Sequence, residues 1–242
     1  MSEIGIAFPN APGLSTPALE VVDVDSPDTQ HEIDRLVAAA ENIARIPGTS
    51  IVGLSHSQLA PTETTPHPLQ IFLAPADIRG LPVEVTIGEL AFRVFVNTNI
   101  VLPNTPTNPN LIKEGCFSSG PVSVVTQRPN FIRELTTHRR DGEPLAAIGV
   151  KGPGVVPVQH EYDHGQGVRA ADAADERMWV RRDELPDYRK LSPEKAGNWP
   201  KHCTEEQWLA LSRDADYLFF PTEELREVFE AGVEEQRHTL SQ

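Results

Sequence analysis

Apolar residues recur at three- and four-residue spacing between residues 28 and 44, which is the period of a helix with one buried face. Pro47 and Gly48 follow this stretch, and both residue types end helices. The pattern predicts one amphipathic helix before residue 47, with a shared apolar face made of Ile33, Leu36, Val37, Ala40, Ile43 and Ala44.

After this helix the apolar positions form short continuous or alternating runs bounded by proline, glycine and asparagine, a pattern typical of β-strands. Residues 103–110 are rich in proline and asparagine and are predicted to form a loop. The predicted strands cover 69–73, 83–87, 92–96, 122–126 and 146–150.

The two ends of the chain differ from this middle part. Residues 1–27 hold four prolines, which predicts an irregular N-terminal arm. The last sixty residues carry two stretches with helical periodicity, at 204–213 and 222–237. We therefore divide the chain into the arm 1–27, a domain at 28–182, and a helical C-terminal extension at 183–242 that packs on the domain.

The charge of the chain argues against two classes of partner. With 21 basic and 35 acidic residues, the formal net charge of the 242-residue chain is −14. Nucleic acids and anionic membranes attract proteins of the opposite charge, so neither is expected as a partner. No apolar run approaches the ~20 residues that a membrane-spanning helix needs.

Cysteine content points to a compartment. Cys116 and Cys203 are the only two cysteines, fewer than a secreted disulfide scaffold carries. The first thirty residues have no basic region followed by an apolar core, so no signal peptide is expected. These features favour a reducing cytoplasm, in which a cysteine thiolate can bind a metal.

His160, Glu161 and His164 form an H-E-x-x-H run. Residues four apart lie on the same face of a helix, so both imidazoles can reach one metal ion, with the glutamate alongside as a base. A catalytic metal site usually has three protein ligands and an open position for water. Cys116 is the candidate third ligand, because a thiolate binds zinc or ferrous iron well.

Two further stretches extend this motif. The residues Glu114 to Ser118 read E-G-C-F-S, and Cys116 precedes His160 by 44 positions. Together with Q-H-E-Y-D-H at 159–164, this stretch resembles the second and third signature motifs of the peptide deformylases. Residues 51–58, I-V-G-L-S-H-S-Q, resemble the first motif of that family, G-x-G-L-A-A-x-Q, at Gly53, Leu54 and Gln58.

The resemblance covers roughly residues 28 to 182 and implies a fold, a metal and an activity. The implied fold is α+β, with antiparallel β-sheets around a central metal-binding helix. The implied cofactor is one divalent metal ion per chain, with Fe²⁺ favoured and Zn²⁺, Ni²⁺ or Co²⁺ possible. The implied reaction hydrolyses an N-formyl group to formate and a free amine, by default on the N-terminal formyl-methionine of a new protein.

The resemblance also assigns roles to residues. Glu161 moves protons as general base and acid, and the side-chain amide of Gln58 and the backbone N–H of Phe117 stabilise the oxyanion. Glu114 and Asp163 are candidates for orienting the ligands. The positions implied beside the substrate are Gly53, Leu54, Gly115 and Val156, and the implied metal ligands are Cys116, His160 and His164.

Three departures from the family concern substrate recognition. Ser119-Gly120-Pro121 replaces an apolar residue followed by proline. Arg128 is the first arginine after the cysteine motif, later than the arginine that holds the peptide in many bacterial members. The stretch 152–157, G-P-G-V-V-P, replaces a leucine-rich turn before the motif helix. Because proline suits only the first turn of a helix, Pro157 predicts that this helix starts near Val156.

These departures leave other functions open. One alternative is a hydrolase of a small N-formylated metabolite, and a second is a catalytically idle relative that binds a partner. A protease is a third, although the cysteine ligand argues against it. The sequence does not determine the oligomeric state. His56 and His67 are interpreted as ordinary loop histidines, and His202 next to Cys203 makes a poor chelate.

Overall fold

The computed structural model describes residues 4–7, 11–45, 51–75, 83–103, 112–119, 122–126, 128–173, 179–181 and 217–220. These ranges contain two α-helices, α1 (Pro27–Ala44) and α2 (Val155–Gly165). The strands in these ranges are β1 (Ile4–Ala7), β2 (Leu54–Ser55), β3 (Ile71–Pro75), β4 (Val85–Ile87), β5 (Leu90–Val101), β6 (Ile112–Gly115), β7 (Val122–Thr126), β8 (Phe131–His138), β9 (Pro144–Lys151), β10 (Trp179–Arg181) and β11 (Tyr217–Phe220).

The strands pair into three antiparallel sheets. The largest has the order β2-β3-β5-β8-β9, with β4 also paired to β5. A three-stranded sheet has the order β10-β7-β6. The third sheet pairs β1 with β11, so that Ile4 lies opposite Phe220. Two segments at opposite ends of the sequence therefore meet in one small sheet.

Helix α1 begins directly after a capping residue, Ser26. The side chain of Ser26 accepts a hydrogen bond from the backbone N–H of Thr29 at 3.2 Å, which satisfies one of the unpaired donors of the first turn. Pro27 occupies the first turn, where its missing N–H costs nothing. The apolar face predicted from the sequence is buried at Ile33, Leu36 and Ile43.

Two cores lie on opposite faces of the largest sheet. Side chains alternate across a strand, so Leu73 and Val94 point to the core shared with α1, while Phe72 and Phe95 point to the core shared with α2. The rings of Phe72 and Phe95 stack with their centroids 4.8 Å apart. Val155 and Val158 of α2 pack in this second core. The sheet thus fixes the position of α2, the helix that carries the H-E-x-x-H run.

The predicted α+β class, the helix before residue 47 and the strands in mid-chain are confirmed. The motif helix starts at Val155, one residue earlier than predicted, and Pro157 lies in its first turn. Six of the described strands were not predicted, namely β1, β2, β6, β8, β10 and β11.

The prediction of an irregular arm at 1–27 is wrong in part. Ile4–Ala7 is a strand because it finds a partner in Tyr217–Phe220, and such a distant pairing leaves no local sequence pattern. The helices predicted at 204–213 and 222–237 lie outside the described residues, and the proposed bounds of the extension stay a prediction. No helix in the described part of the chain is long and apolar enough to cross a membrane.

Candidate metal centre

Helix α2 brings two histidines to one point. His160 and His164 lie one turn apart, and their ring centroids are 4.9 Å from each other. Both side chains are buried. Since the apolar residues of the same helix pack against the sheet, the histidine face is held toward the interior of the protein.

Cys116 approaches this face from the three-stranded sheet. It follows directly after β6 and precedes a 3₁₀ turn at Phe117–Ser119. Its Sγ lies 3.3 Å from Nε2 of His164. One ligand atom from each of Cys116, His160 and His164 lies within 4.8 Å of the other two, and all three residues are buried. This spacing allows one ion to contact all three donors.

The electrostatics of the three side chains suit a cation. Burial acts to raise the pKa of the Cys116 thiol, but the charges and hydrogen bonds of His164 and His160 outweigh it, and the pKa lies well below its ordinary value. Burial acts to lower the pKa of His160, but Cys116 and Glu114 outweigh it and raise that pKa. The cluster therefore favours a thiolate at Cys116 with a positively charged imidazolium at His160 beside it.

A bound divalent ion can replace the proton of His160 and provide the positive charge next to the Cys116 thiolate. One sulfur and two imidazole nitrogens form a donor set that suits zinc, ferrous iron and related ions. The residues present thus fit the divalent cofactor expected from the sequence.

His160 is held from behind by a buried acidic group. Its Nδ1 lies 2.7 Å from Oε2 of Glu114, which leaves Nε2 for the metal. Thr126 donates a hydrogen bond to the same carboxylate, and Arg128 contacts both of its oxygens, at 2.7 and 2.9 Å. Arg128 also bonds to Asp163. Burial acts to raise the pKa of Glu114, but His160 and Arg128 hold it well below its usual range, so the carboxylate stays ionised.

Arg128 was missed as a site residue by the sequence interpretation, which considered it only as a possible peptide anchor. The arginine is buried and forms ion pairs with Glu114 and Asp163. The sequence gives no signal for this contact, because Arg128 and Glu114 lie 14 positions apart and only the tertiary fold brings them together.

Glu161 is fully enclosed next to the ligand cluster. Burial raises its pKa to about 7, and the neighbouring His160 and His164 act against this rise. Within the described part of the chain, its Oε2 has no hydrogen-bond partner. A buried acceptor without a partner is unusual in folded proteins and is common where a substrate or water must be received.

Gln58 presents its amide nitrogen to the cysteine motif. Its Oε1 accepts a hydrogen bond from the backbone N–H of Ser55 at 2.8 Å, which fixes the orientation of the amide group. Its Nε2 then donates to Oγ of Ser118 at 3.1 Å and lies 3.5 Å from Sγ of Cys116. The side chain is therefore a hydrogen-bond donor at the edge of the candidate metal centre.

His56 is not the loop histidine that the sequence interpretation assumed. It lies in a 3₁₀ turn, His56–Gln58, and is 3% exposed. Its Nε2 lies 3.0 Å from Oε2 of Glu32 in α1. The error arose because the partner, Glu32, belongs to a helix that only the tertiary fold brings close.

The remaining predicted residues surround the same region to different extents. The backbone N–H of Phe117 belongs to the peptide group that follows Cys116. Gly115 is exposed at the end of β6, and Val156 is half-buried in the first turn of α2. The Leu54 side chain is fully buried in the core against α1, so only its backbone could contact a substrate.

No protein-family model matches the chain, and no curated protein matches it by sequence. Solved structures do match. A peptide deformylase from Synechococcus elongatus in complex with actinonin aligns with a TM-score of 0.52 and 20% identity, covering 78% of this chain and 89% of that chain. The peptide deformylase from Thermotoga maritima gives a TM-score of 0.54 and 20% identity, over 72% and 99% of the two chains.

A third structure, a mutant form of Arabidopsis thaliana peptide deformylase 1B, has a TM-score of 0.52 and 23% identity, covering 83% of this chain and 98% of that chain. These matches show that the chain has a peptide-deformylase-like fold.

Proposed function

We propose that this protein is a metal-dependent hydrolase that removes the formyl group from an N-formylated amine, most simply the N-terminal formyl-methionine of a nascent peptide. The single observation that carries the proposal is the buried convergence of Cys116, His160 and His164 beside the carboxylate of Glu161. The peptide-deformylase-like fold supports the same reaction. We also propose that the protein acts in a reducing cytoplasm, as its cysteine content suggests.

The reaction converts a formamide and water into formate and a free amine. A divalent ion held by Cys116, His160 and His164 would act as a Lewis acid and would lower the pKa of the attacking water toward ~7. Glu161 takes a proton from the water and passes it to the departing nitrogen. Its buried position suits this role, because burial brings its pKa to about 7 and both protonation states are then accessible near neutral pH.

The oxyanion that develops on the formyl group needs hydrogen-bond donors. The Nε2 of Gln58 can supply one, because its Oε1 is occupied by Ser55 and the donor side faces the cysteine motif. The N–H of Phe117 is the second proposed donor. Glu114 keeps the His160 ring oriented for the metal.

The proposed substrate contacts come from the first motif, the cysteine motif and the first turn of α2. Gly53, Gly115, Val156 and the backbone of Leu54 are proposed to contact it. A small N-formylated metabolite is the alternative substrate, because the stretch 152–157 replaces the leucine-rich turn that the resemblance implies.

The test combines metal analysis with a formate-release assay. The protein is purified without oxygen, its metal content is measured, and it is offered a formyl-Met tripeptide and a panel of small N-formyl amines. We expect one divalent ion per chain and release of formate. Preference for the tripeptide supports the peptide substrate, whereas turnover of small formamides alone supports the metabolite.

A matched variant separates catalysis from binding. Glu161→Gln keeps the size of the side chain but removes the carboxylate, so metal should stay bound while formate release is lost. If metal-loaded wild-type protein releases no formate from any member of the panel, the proposed activity is wrong and a binding role remains. Cleavage of intact casein by the metal-loaded protein would favour a protease instead.

A further inference from the structure

The 3₁₀ turn His56–Gln58 lies between the two α-helices. On one side, Oγ of Ser57 donates a hydrogen bond to the carbonyl oxygen of His164 at the end of α2, at 3.0 Å. On the other side, His56 reaches Glu32 of α1. The third residue of the turn, Gln58, points to the cysteine motif. One turn thus links α1 to the candidate metal centre.

The contacts of His56 fix its tautomer. The backbone N–H of Leu69 lies 3.2 Å from Nδ1, and since a backbone N–H can only donate, Nδ1 must accept. The proton of the ring is therefore on Nε2, which donates to Oε2 of Glu32 at 3.0 Å. Both ring nitrogens are satisfied, and the ring cannot rotate without losing a buried hydrogen bond.

Glu32 is the centre of a buried polar cluster. It pairs with Arg35 one turn further along α1 and accepts a hydrogen bond from Thr65 at 2.9 Å. Arg35 also donates to the carbonyl oxygen of Ala60 at 3.0 Å. Helix α1 therefore holds the segment around Gln58 on both sides, through His56 before it and Ala60 after it.

Replacing a buried ionic cluster with apolar residues is often neutral or stabilising, so such a cluster is weak as a source of stability. It does restrict conformation, because each hydrogen bond limits the positions and orientations of the two groups that it joins. Here it restricts a three-residue turn whose last side chain is the proposed oxyanion donor.

We propose that the cluster of His56, Glu32 and Arg35 positions the amide of Gln58 for the oxyanion. His56 is a positioning residue, since its contacts run to Leu69 and Glu32 and it acts only through the turn. This inference rests on the proposed function for its catalytic consequence, but the positioning itself is a property of the fold.

The test uses a pair of matched substitutions at His56. In His56→Asn the shorter side chain can still accept a hydrogen bond from the backbone N–H of Leu69, but it does not reach the carboxylate of Glu32. In His56→Gln the longer side chain can donate a hydrogen bond to Glu32. We expect His56→Asn to lower kcat for formate release by about ten- to a hundredfold with little change in KM, because small misplacements of a catalytic group cost rates of this order. His56→Gln should recover most of the rate. The control is His31→Asn, which changes an exposed histidine of α1.

A double-mutant cycle shows whether His56 acts through Gln58. In a Gln58→Ala background, His56→Asn should cause no further loss of kcat, and metal content should stay at the wild-type level throughout. If His56→Asn lowers kcat by the same factor in wild type and in Gln58→Ala, then His56 does not act through Gln58 and the proposal fails. If His56→Asn does not fold, Arg35→Gln replaces it in the same cycle.

A second readout does not depend on activity. In ¹⁵N-labelled, zinc-loaded protein, the side-chain amide signals of Gln58 are identified by their loss in Gln58→Ala. We expect His56→Asn, but not His31→Asn, to shift these signals and speed their exchange with water. If no formamide is hydrolysed, the proposed function fails while this measurement still decides the positioning. Unchanged Gln58 signals in His56→Asn would overturn the inference.

Discussion

Gly53 lies directly against the carboxylate of Glu161. A Cβ built on Gly53 would stand 2.4 Å from Oε1 of Glu161 and 2.8 Å from its Cγ. Real Cβ atoms do not approach other atoms this closely, so any larger residue at position 53 must push Glu161 away. The glycine of the first motif is therefore explained by the space that the glutamate of the third motif needs.

Gly53→Ala should consequently impair catalysis while the metal stays bound. The added methyl group displaces the proposed general base, and a misplacement of about 1 Å can cost about a hundredfold in rate. The measurement is kcat for formate release, with metal content determined on the same sample. Gly165→Ala is the control, because a Cβ at that position meets nothing within 4 Å. Wild-type kcat in Gly53→Ala would show that the position of Glu161 does not limit the reaction.

Gln58→Ala should lower kcat much more than it raises KM. Removing one donor to an oxyanion typically costs about 3–4 kcal/mol, which is roughly a hundred- to a thousandfold in kcat. The interaction develops mainly in the transition state, so substrate binding should change little. Steady-state kinetics with the preferred substrate give both parameters. Gln166→Ala removes an exposed amide near the end of α2 and serves as the control. A loss confined to KM would assign Gln58 to substrate binding instead.

Glu114→Gln should weaken metal binding. The substitution removes the negative charge next to His160 and leaves Asp163 as the one charged partner of Arg128 among the contacts described above. Loss of such a supporting carboxylate typically costs about 10- to 100-fold in metal affinity. Competition for zinc with a chromophoric chelator measures this directly. Asp163→Asn removes the other partner of Arg128 without contacting His160, so a comparable loss of affinity in that variant would contradict the proposed role of Glu114.

The sequence was informative where geometry is local. Four-residue spacing on a helix already brings His160 and His164 to one face, and the structure places Cys116 beside them. The apolar face of α1 follows from the same periodicity. In these two cases the contact repeats along one helix. Cys116 is different, because it lies 44 positions before His160 and its place in the site was predicted from its ligand chemistry and from the resemblance of the two motifs.

The sequence was uninformative where contacts join distant segments. Ile4–Ala7 pairs with Tyr217–Phe220 across almost the whole chain, and no local pattern marks either partner. Arg128 and His56 become site residues only through Glu114 and Glu32, which lie 14 and 24 positions away. Polar residues of this kind look like surface residues in a sequence, because burial of a charge depends on a partner that the tertiary fold supplies.

The buried cluster around Glu32 should make stability depend on pH in the acidic range. Burial acts to raise the pKa of Glu32, but hydrogen bonds from His56 and Thr65 and the charge of Arg35 lower it from 4.5 to about 2. A carboxyl group whose pKa is depressed in the folded state stabilises the fold above its unfolded pKa, and this contribution is lost as the pH falls through the folded pKa. Stability should therefore decline between pH 4.5 and pH 2.

Urea denaturation at a series of pH values tests this expectation. Glu32→Gln should be less stable than wild type at pH 7, because Arg35 loses its buried partner, and its stability should fall less steeply below pH 4.5. Glu63→Gln, which changes an exposed carboxylate, should keep the wild-type slope. Parallel pH profiles for wild type and Glu32→Gln would mean that the pKa of Glu32 is the same in the folded and the unfolded protein. The contacts of Glu32 with His56, Thr65 and Arg35 would then not favour its ionised form, and the cluster would not have the electrostatics described here.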